Sequence, residues 1–226
     1  GSLEFDFKSI MERVQQKIQA VAPHDSVERY TQLGVDCYQG YARILSPFEV
    51  QVNDRVLTCR TIVVATGARP LVPPIPGLDQ VDYLTSDTVW DIRSQPERLV
   101  VLGAGPIGCE LAQAFTRLGS RVTLVQRGRR IMKREDPEAS ELVAAQFRQE
   151  GMDLRLEHSA VRVESRDGEH CLVCDHQGET VRIPFDRILV ALGRTPNLKG
   201  FGLEDIGVDL VDGRRLDVNP FMQTSI

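Results

Sequence analysis

No cationic surplus is present in this chain. Lysine and arginine number 27 against 32 aspartates and glutamates, a formal net charge of −5. Such a balance offers no general means of meeting a phosphate backbone, which argues against nucleic acid as a partner. No apolar run approaches the ~20 residues needed to span a bilayer, and no secretory signal is visible. Cysteine is sparse: five residues, at 37, 59, 109, 171 and 174. An odd count at wide spacing does not form a disulfide framework, and a reducing cytoplasm is the expected compartment. The four histidines, at 24, 158, 170 and 176, show no ligand spacing, so no metal is assigned. None of the four tyrosines (30, 38, 41, 83) has a lysine four positions on, so the proton relay of short-chain dehydrogenases is missing.

What is present is ordinary globular composition, 42% hydrophobic and 26% charged, over 226 residues. That length allows one large domain or two small ones. Gly1 and Ser2 stand where a methionine would start a chain, and are expected to be the remnant of an expression tag. Ile10, Val14, Ile18 and Val21 recur at helical spacing and predict an amphipathic helix over 7–21 that buries one face. A shorter helix restarts after Pro23 and closes at Gly34. From Val35 the period changes to two. Strands are expected over 35–39, 41–45, 48–52 and from Val56 onward, ending in the buried strand Thr61–Gly67. Prolines 70, 73, 74 and 76 then make a stiff connector.

A short helix is expected over 85–92. Beyond it, Leu99–Leu102 and Arg121–Val125 read as strands flanking a helix from about Pro106 to Leu118, a βαβ unit. Asp136–Glu150 reads as a helix with Pro137 in its first turn and Gly151 at its end. A second antiparallel meander follows from Leu154 to Arg182, then a third buried strand, Phe185–Gly193, and a loop-rich tail. Cys171 and Cys174 match Cys-x-x-Cys but lie in a strand pattern. Residues three apart in a strand point to opposite faces, so these are read as structural cysteines rather than a redox pair.

The chemistry concentrates at Gly103-Ala-Gly105-Pro106-Ile107-Gly108. It follows four apolar strand residues and opens a helix. Gly103 permits the tight turn, Gly105 lets the backbone approach a pyrophosphate, and Gly108 lets helix and strand pack closely. The helix start adds free N–H groups and the positive end of a dipole. Dinucleotide binding is therefore predicted. The end of the next strand selects the nucleotide. NAD sites usually place a carboxylate there, and this chain has Gln126, followed by Arg127, Arg129, Arg130 and Lys133. A glutamine does not repel a 2′-phosphate and a guanidinium pairs with one, so NADPH is favoured over NADH.

Taken together, Ala65-Thr66-Gly67-Ala-Arg-Pro70, the glycine turn with Glu110, Arg127, and Ala191-Leu-Gly193-Arg-Thr-Pro196-Asn197 resemble the pyridine nucleotide–disulfide oxidoreductases. That group includes glutathione reductase, lipoamide dehydrogenase and mercuric reductase. The basic loop ahead of Arg134-Glu-Asp-Pro137 is most similar to the mercuric reductase branch. The resemblance implies FAD in the whole enzyme, with Ala65, Thr66, Gly67 and the Ala42 backbone against it. It implies the NADPH pyrophosphate on the Gly103 turn, Arg127 on the 2′-phosphate with Lys133 as a second cation, Glu110 near the nicotinamide, and Gly193 approaching the same cofactor. It also implies a homodimeric whole enzyme passing hydride from NADPH to FAD and then to a redox disulfide.

Members of this family begin with an FAD-binding glycine turn and a Cys-x4-Cys pair, and neither is found in this sequence. The chain is accordingly expected to be a fragment, without a catalytic residue of its own and inactive as a reductase. The fold expected is α/β, a Rossmann-like three-layer nucleotide-binding domain with an antiparallel meander, plus a partial FAD-binding domain. The boundaries expected are 1–92 for part of the FAD domain, 93–197 for the NAD(P) domain and 198–226 for the return. Exposed sheet edges in the partial domain are expected to favour self-association. The electron acceptor, a small molecule or a disulfide, is not specified by these residues. An NAD(P)H oxidase or a ferredoxin reductase would show much the same motifs, and a non-catalytic nucleotide-binding module is the third reading.

Overall fold

The computed structural model describes residues 5–226, so Gly1 and Ser2 lie outside the described residues. The chain forms two compact units. One holds the chain up to Lys17 together with Pro70–Gly193, and the other holds Ile18–Arg69 with Arg194–Ile226.

In chain order, helix α1 is Phe7–Val21 and α2 is Val27–Gln32. Strands β1 (Ala42–Ser46), β2 (Glu49–Val52), β3 (Arg55–Thr58) and β4 (Ala68–Pro70) follow. Next come β5 (Arg98–Leu102), α3 (Pro106–Arg117), β6 (Arg121–Gln126), α4 (Pro137–Gln149) and β7 (Asp153–Leu156). The meander is β8 (Ser159–Arg166), β9 (Glu169–His176) and β10 (Glu179–Phe185). Then come β11 (Arg187–Val190), β12 (Arg194–Pro196), β13 (Leu210–Val211) and β14 (Arg215–Leu216).

The larger unit is built on a four-stranded parallel sheet in the order β11-β5-β6-β7. β5, β6 and β11 are largely buried, which explains their apolar runs, whereas β7 is partly exposed and mixed in sequence. Leu99, Val101, Val122, Leu124 and Leu189 face a core shared with Phe115 of α3, Phe147 of α4 and Phe7 and Met11 of α1. The alternate residues Val100, Leu102, Val125, Ile188 and Val190 meet Leu172, Cys174, Ile183 and Phe185 of the meander. Three layers result: helices, parallel sheet, antiparallel meander. Each fully buried aliphatic or Phe side chain contributes roughly 1.5–3 kcal/mol of transfer free energy.

Local signals set the element ends. The Asp136 carboxylate accepts the Glu138 N–H at 2.9 Å, with Pro137 at the first helical position, and Gly151 at φ +86° follows the helix. The run Phe185–Gly193 is not one strand. Asp186 breaks it, because its carboxylate takes the Arg98 N–H (2.7 Å) and the Arg98 guanidinium (3.0 and 2.7 Å). The segment expected as a helix over 85–92 is a single 3-10 turn, Val89–Asp91. The proline-rich connector packs on the meander: the Val163 N–H bonds Pro76 O at 2.8 Å, and Leu78 and Val81 join that core.

The smaller unit contains the antiparallel sheet β1-β2-β3 and the two-stranded pairs β12-β4 and β13-β14. Two expected strands are absent from it. Residues 35–39 and 61–67 have no strand structure, and Val63 is 85% exposed. A β-strand exists only through a ladder with a neighbouring strand, and among the described residues neither segment pairs with one. The buried side of α1 is not the expected stripe: Ile10 and Val14 are only half-buried and Ile18 and Val21 are exposed, whereas Phe7 and Met11 are buried. Tyr41, Phe48 and Phe221 add to the apolar surface of this unit.

Candidate nucleotide-binding site

The carboxyl ends of β5, β6 and β11 lie side by side, with Leu102 in register with both Val125 and Val190. Backbone bonds continue past the strands: Gly103 N–H to Val125 O at 2.9 Å and Ala191 N–H to Leu102 O at 2.8 Å. β6 lies on one side of β5 and β11 on the other, so the strand order reverses at the end of β5. In an open α/β sheet that reversal leaves a crevice for a ligand.

The three glycines of the turn differ in what surrounds them. A Cβ on Gly108 would stand 1.9 Å from Gly103 O, and one on Gly103, at φ +107°, would stand 2.5 Å from Ala191 O. These two are required by packing and backbone conformation. A Cβ on Gly105 would meet nothing within 4 Å. Its φ of −77° suits any residue, so packing gives no reason for glycine there. The start of α3 has no side-chain cap, with Pro106 exposed in its first turn and Ile107 half-buried against the helix-side core. Its first N–H groups are therefore left for a ligand or water.

The loop after β6 is fastened to this turn. Met132 N–H donates to Ala104 O at 2.7 Å, Ile131 is fully buried, and Gln126 Nε2 donates to Arg130 O at 3.3 Å. The loop presents Arg127 and Lys133 to solvent. Glu110 is exposed on α3, one turn into the helix. Its neighbour Cys109 is buried, and desolvation, helped by the Glu110 charge, pushes that thiol up to about 11. A Cβ on Gly193, at φ +115°, would meet nothing within 4 Å, and the Gly193 carbonyl accepts Leu71 N–H at 2.9 Å. The larger unit thus gathers Gly103, Gly105, Gly108, Gln126 and Gly193 at one sheet edge, with Arg127 and Lys133 on the adjoining loop.

Ala42, Ala65, Thr66 and Gly67 belong to the smaller unit. Ala42 opens β1 and is exposed. Ala65, Thr66 and Gly67 are exposed as well, and nothing lies within 4 Å of a Cβ on Gly67. This segment is held by Asn197. Thr66 Oγ1 donates to Asn197 O (2.6 Å), Asn197 Nδ2 to Thr66 O (3.0 Å), and Asn197 N–H to Gly67 O (3.0 Å). Asn197 was legible only as the last residue of a motif. Its partners lie about 130 positions earlier, beyond the reach of local pattern. Ala191 entered the sequence reading only as the first residue of that same motif, and Met132 carried no sequence signal of a site, yet both shape the glycine turn through their backbones.

A parallel sheet with a glycine turn at its strand-order reversal, helices on one face and a meander on the other, defines a dinucleotide-binding α/β unit. The chain belongs to the pyridine nucleotide–disulphide oxidoreductase family, which it matches over residues 7–226. It is 37% identical to a mercuric reductase of Staphylococcus aureus over 201 residues, 89% of this chain and 36% of that protein. It is 35% identical to a glutathione reductase of Burkholderia cepacia, over 84% of this chain and 41% of that one. The chain therefore spans well under half the length of these relatives. Its fold is shared with the HOCl-induced flavoprotein disulfide reductase RclA from Escherichia coli. The TM-score is 0.86 at 23% identity, covering 98% of this chain and 50% of the other.

Proposed function

We propose that this chain carries the NADPH-binding part of an FAD-containing disulfide oxidoreductase of the mercuric reductase type. The observation that supports this most is the glycine turn, closed by packing at Gly103 and Gly108 and open at Gly105. In this reading the pyrophosphate rests on the Gly105 backbone and the first N–H groups of α3. Arg127 and Lys133 take the 2′-phosphate, which Gln126 leaves unopposed. Glu110 and Gly193 border the nicotinamide. In the smaller unit, Ala65, Thr66 and Gly67 with the Ala42 backbone border FAD, for which the exposed segment and the open space at Gly67 leave room.

When bound, the flavin supplies the two-electron relay between NADPH and a redox disulfide. The residues of this chain bind and orient. No two of its cysteines stand five positions apart, so it contributes no Cys-x4-Cys pair. In this reading 93–197 serve NADPH and 1–92 with 198–226 serve FAD, although Phe7–Lys17 and Pro70–Ile92 pack within the larger unit. The whole protein is proposed to be a cytoplasmic homodimer acting on a small-molecule or disulfide acceptor.

The test is Arg127→Ala in the 226-residue chain. A charge-assisted contact is worth about 1.5–3 kcal/mol, so NADPH affinity falls roughly 10- to 100-fold while NADH affinity stays. The unsubstituted chain, given FAD and NADPH, shows no disulfide reductase turnover. Equal loss for both nucleotides contradicts the 2′-phosphate role, and sustained turnover contradicts the view that the dithiol lies outside this chain.

A further inference from the structure

We infer that Arg130 is a positioning residue for the 2′-phosphate site and not itself a ligand of the phosphate; this rests on the NADPH reading above. The basic loop holds five cations of different standing. Among the described residues, the side chains of Arg127, Lys133 and Arg134 are exposed and make no ion pair or hydrogen bond. Arg129 pairs with Glu157 at 3.1 Å. Arg130 is half-buried, and its Nη2 donates to the carbonyl oxygens of Lys133 at 2.8 Å and Glu135 at 3.4 Å.

Within this unit Arg93 uses its guanidinium in the same way, on the carbonyls of Trp90 and Ile92, whereas other arginines pair with carboxylates. Arg98, Arg117 and Arg155 spend theirs on Asp186, Glu150 and Asp153. A guanidinium carries five N–H donors in a rigid fork and no acceptor, so one group can hold two carbonyls at a set spacing. Arg130 therefore ties the far side of its own loop by the backbone, leaving the Lys133 side chain free.

The near side is tied by other means. Met132 sits at φ +41°, an unusual conformation for a residue with a side chain. It is held there by its N–H on Ala104 O and by its carbonyl, which accepts Glu135 N–H at 2.9 Å and Ser140 Oγ at 3.3 Å. Ala104 belongs to the glycine turn. The backbone path from pyrophosphate cradle to Lys133 is thus Ala104, Met132, Lys133, and Arg130 fixes its last step. Losing the guanidinium releases Lys133 from a set distance to the turn. A nucleotide with a 2′-phosphate needs that distance, whereas one without it uses the glycine turn alone.

The experiment compares wild type, Arg130→Ala, Arg130→Lys and Arg127→Ala, all in the 226-residue chain. Calorimetric titration with NADPH and with NADH is run at several salt concentrations, and amide exchange is followed at 133–135. Arg130→Ala is expected to weaken NADPH about tenfold and NADH less than about twofold. Its salt dependence stays that of wild type, because no phosphate contact has been removed, whereas Arg127→Ala flattens it. Exchange at 133–135 accelerates, and Arg130→Lys recovers part of the affinity. Unchanged NADPH affinity in Arg130→Ala, equal loss for NADH, or a salt dependence flattened as in Arg127→Ala overturns the inference. Those outcomes leave the NADPH reading standing. A wild-type chain that binds NADH as tightly as NADPH overturns both.

Discussion

Alanine at Gly108 and alanine at Gly105 are the same chemical change three residues apart, and they should fail in opposite ways. At Gly108 the new methyl would stand 1.9 Å from Gly103 O, a backbone atom of the turn, and 3.3 Å from the Ala191 side chain. Neither neighbour is the end of a flexible side chain, so α3 must move off the sheet. Overpacking of this kind costs about 1–3 kcal/mol, and the backbone contact puts it at the upper end. In a domain of this size 1 kcal/mol moves Tm by roughly 2–4 °C, so Gly108→Ala should melt about 5–12 °C lower. At Gly105 a methyl meets nothing and φ is already −77°. The folded state is untouched and the unfolded chain loses freedom, a gain of about 0.4–1 kcal/mol, so Tm stays or rises by a few degrees. If a pyrophosphate approaches that backbone, however, the methyl stands in its place, and NADPH affinity falls about tenfold or more. Calorimetric melting and nucleotide titration of the two variants decide it. Unimpaired NADPH binding by Gly105→Ala would refute the assignment of the turn. An unshifted Tm for Gly108→Ala would refute the packing argument.

Further predictions concern groups away from the turn. Burial raises the Cys109 and Cys174 thiols to about 11, so at pH 8 iodoacetamide should label Cys37, Cys59 and Cys171 first; the native rates of all five, read by mass spectrometry, check this. Glu150 takes Arg117, Gln146 and Gln113 and thereby joins α3 to α4. The Arg117 hydrogen bond, then that of Gln146, lowers its carboxyl from 4.5 to about 2. A depressed folded pKa stabilises above the unfolded value and loses that contribution as pH falls through the folded one. The stability gap between wild type and Glu150→Gln should therefore be full above pH 5 and shrink toward pH 2, as urea midpoints would report. Asn197→Ala removes the amide that holds Thr66, and exchange of the backbone amide at 197 should accelerate by about tenfold or more, against none if the clasp is incidental.

The parts of this fold that were legible in the sequence are those where backbone geometry dictates residue type. Gly103 and Gly108 are glycines because a Cβ has no room, and Pro137 and Gly151 punctuate α4 for equally local reasons. The three-layer core was legible because each sheet residue faces helix or meander in strict alternation. What escaped depends on partners distant in the chain. The run 61–67 has the composition of a strand, but strand structure requires a neighbour that composition does not reveal. Asp186 reads as one polar residue in an apolar run until Arg98 is seen to fold onto it. Arg130 is indistinguishable from Arg127 by type, and only its two carbonyl partners separate a clamp from a free cation.

The central claim is that a phosphorylated dinucleotide binds at the Gly103–Gly108 turn. The most direct measurement is titration of the isotope-labelled 226-residue chain with NADPH, following backbone amides. The account predicts that the largest shifts fall on Gly105, Ile107 and Arg127, saturating at lower concentration for NADPH than for NADH. Shifts that leave the turn unmoved, or a chain that saturates first with NADH, would contradict it.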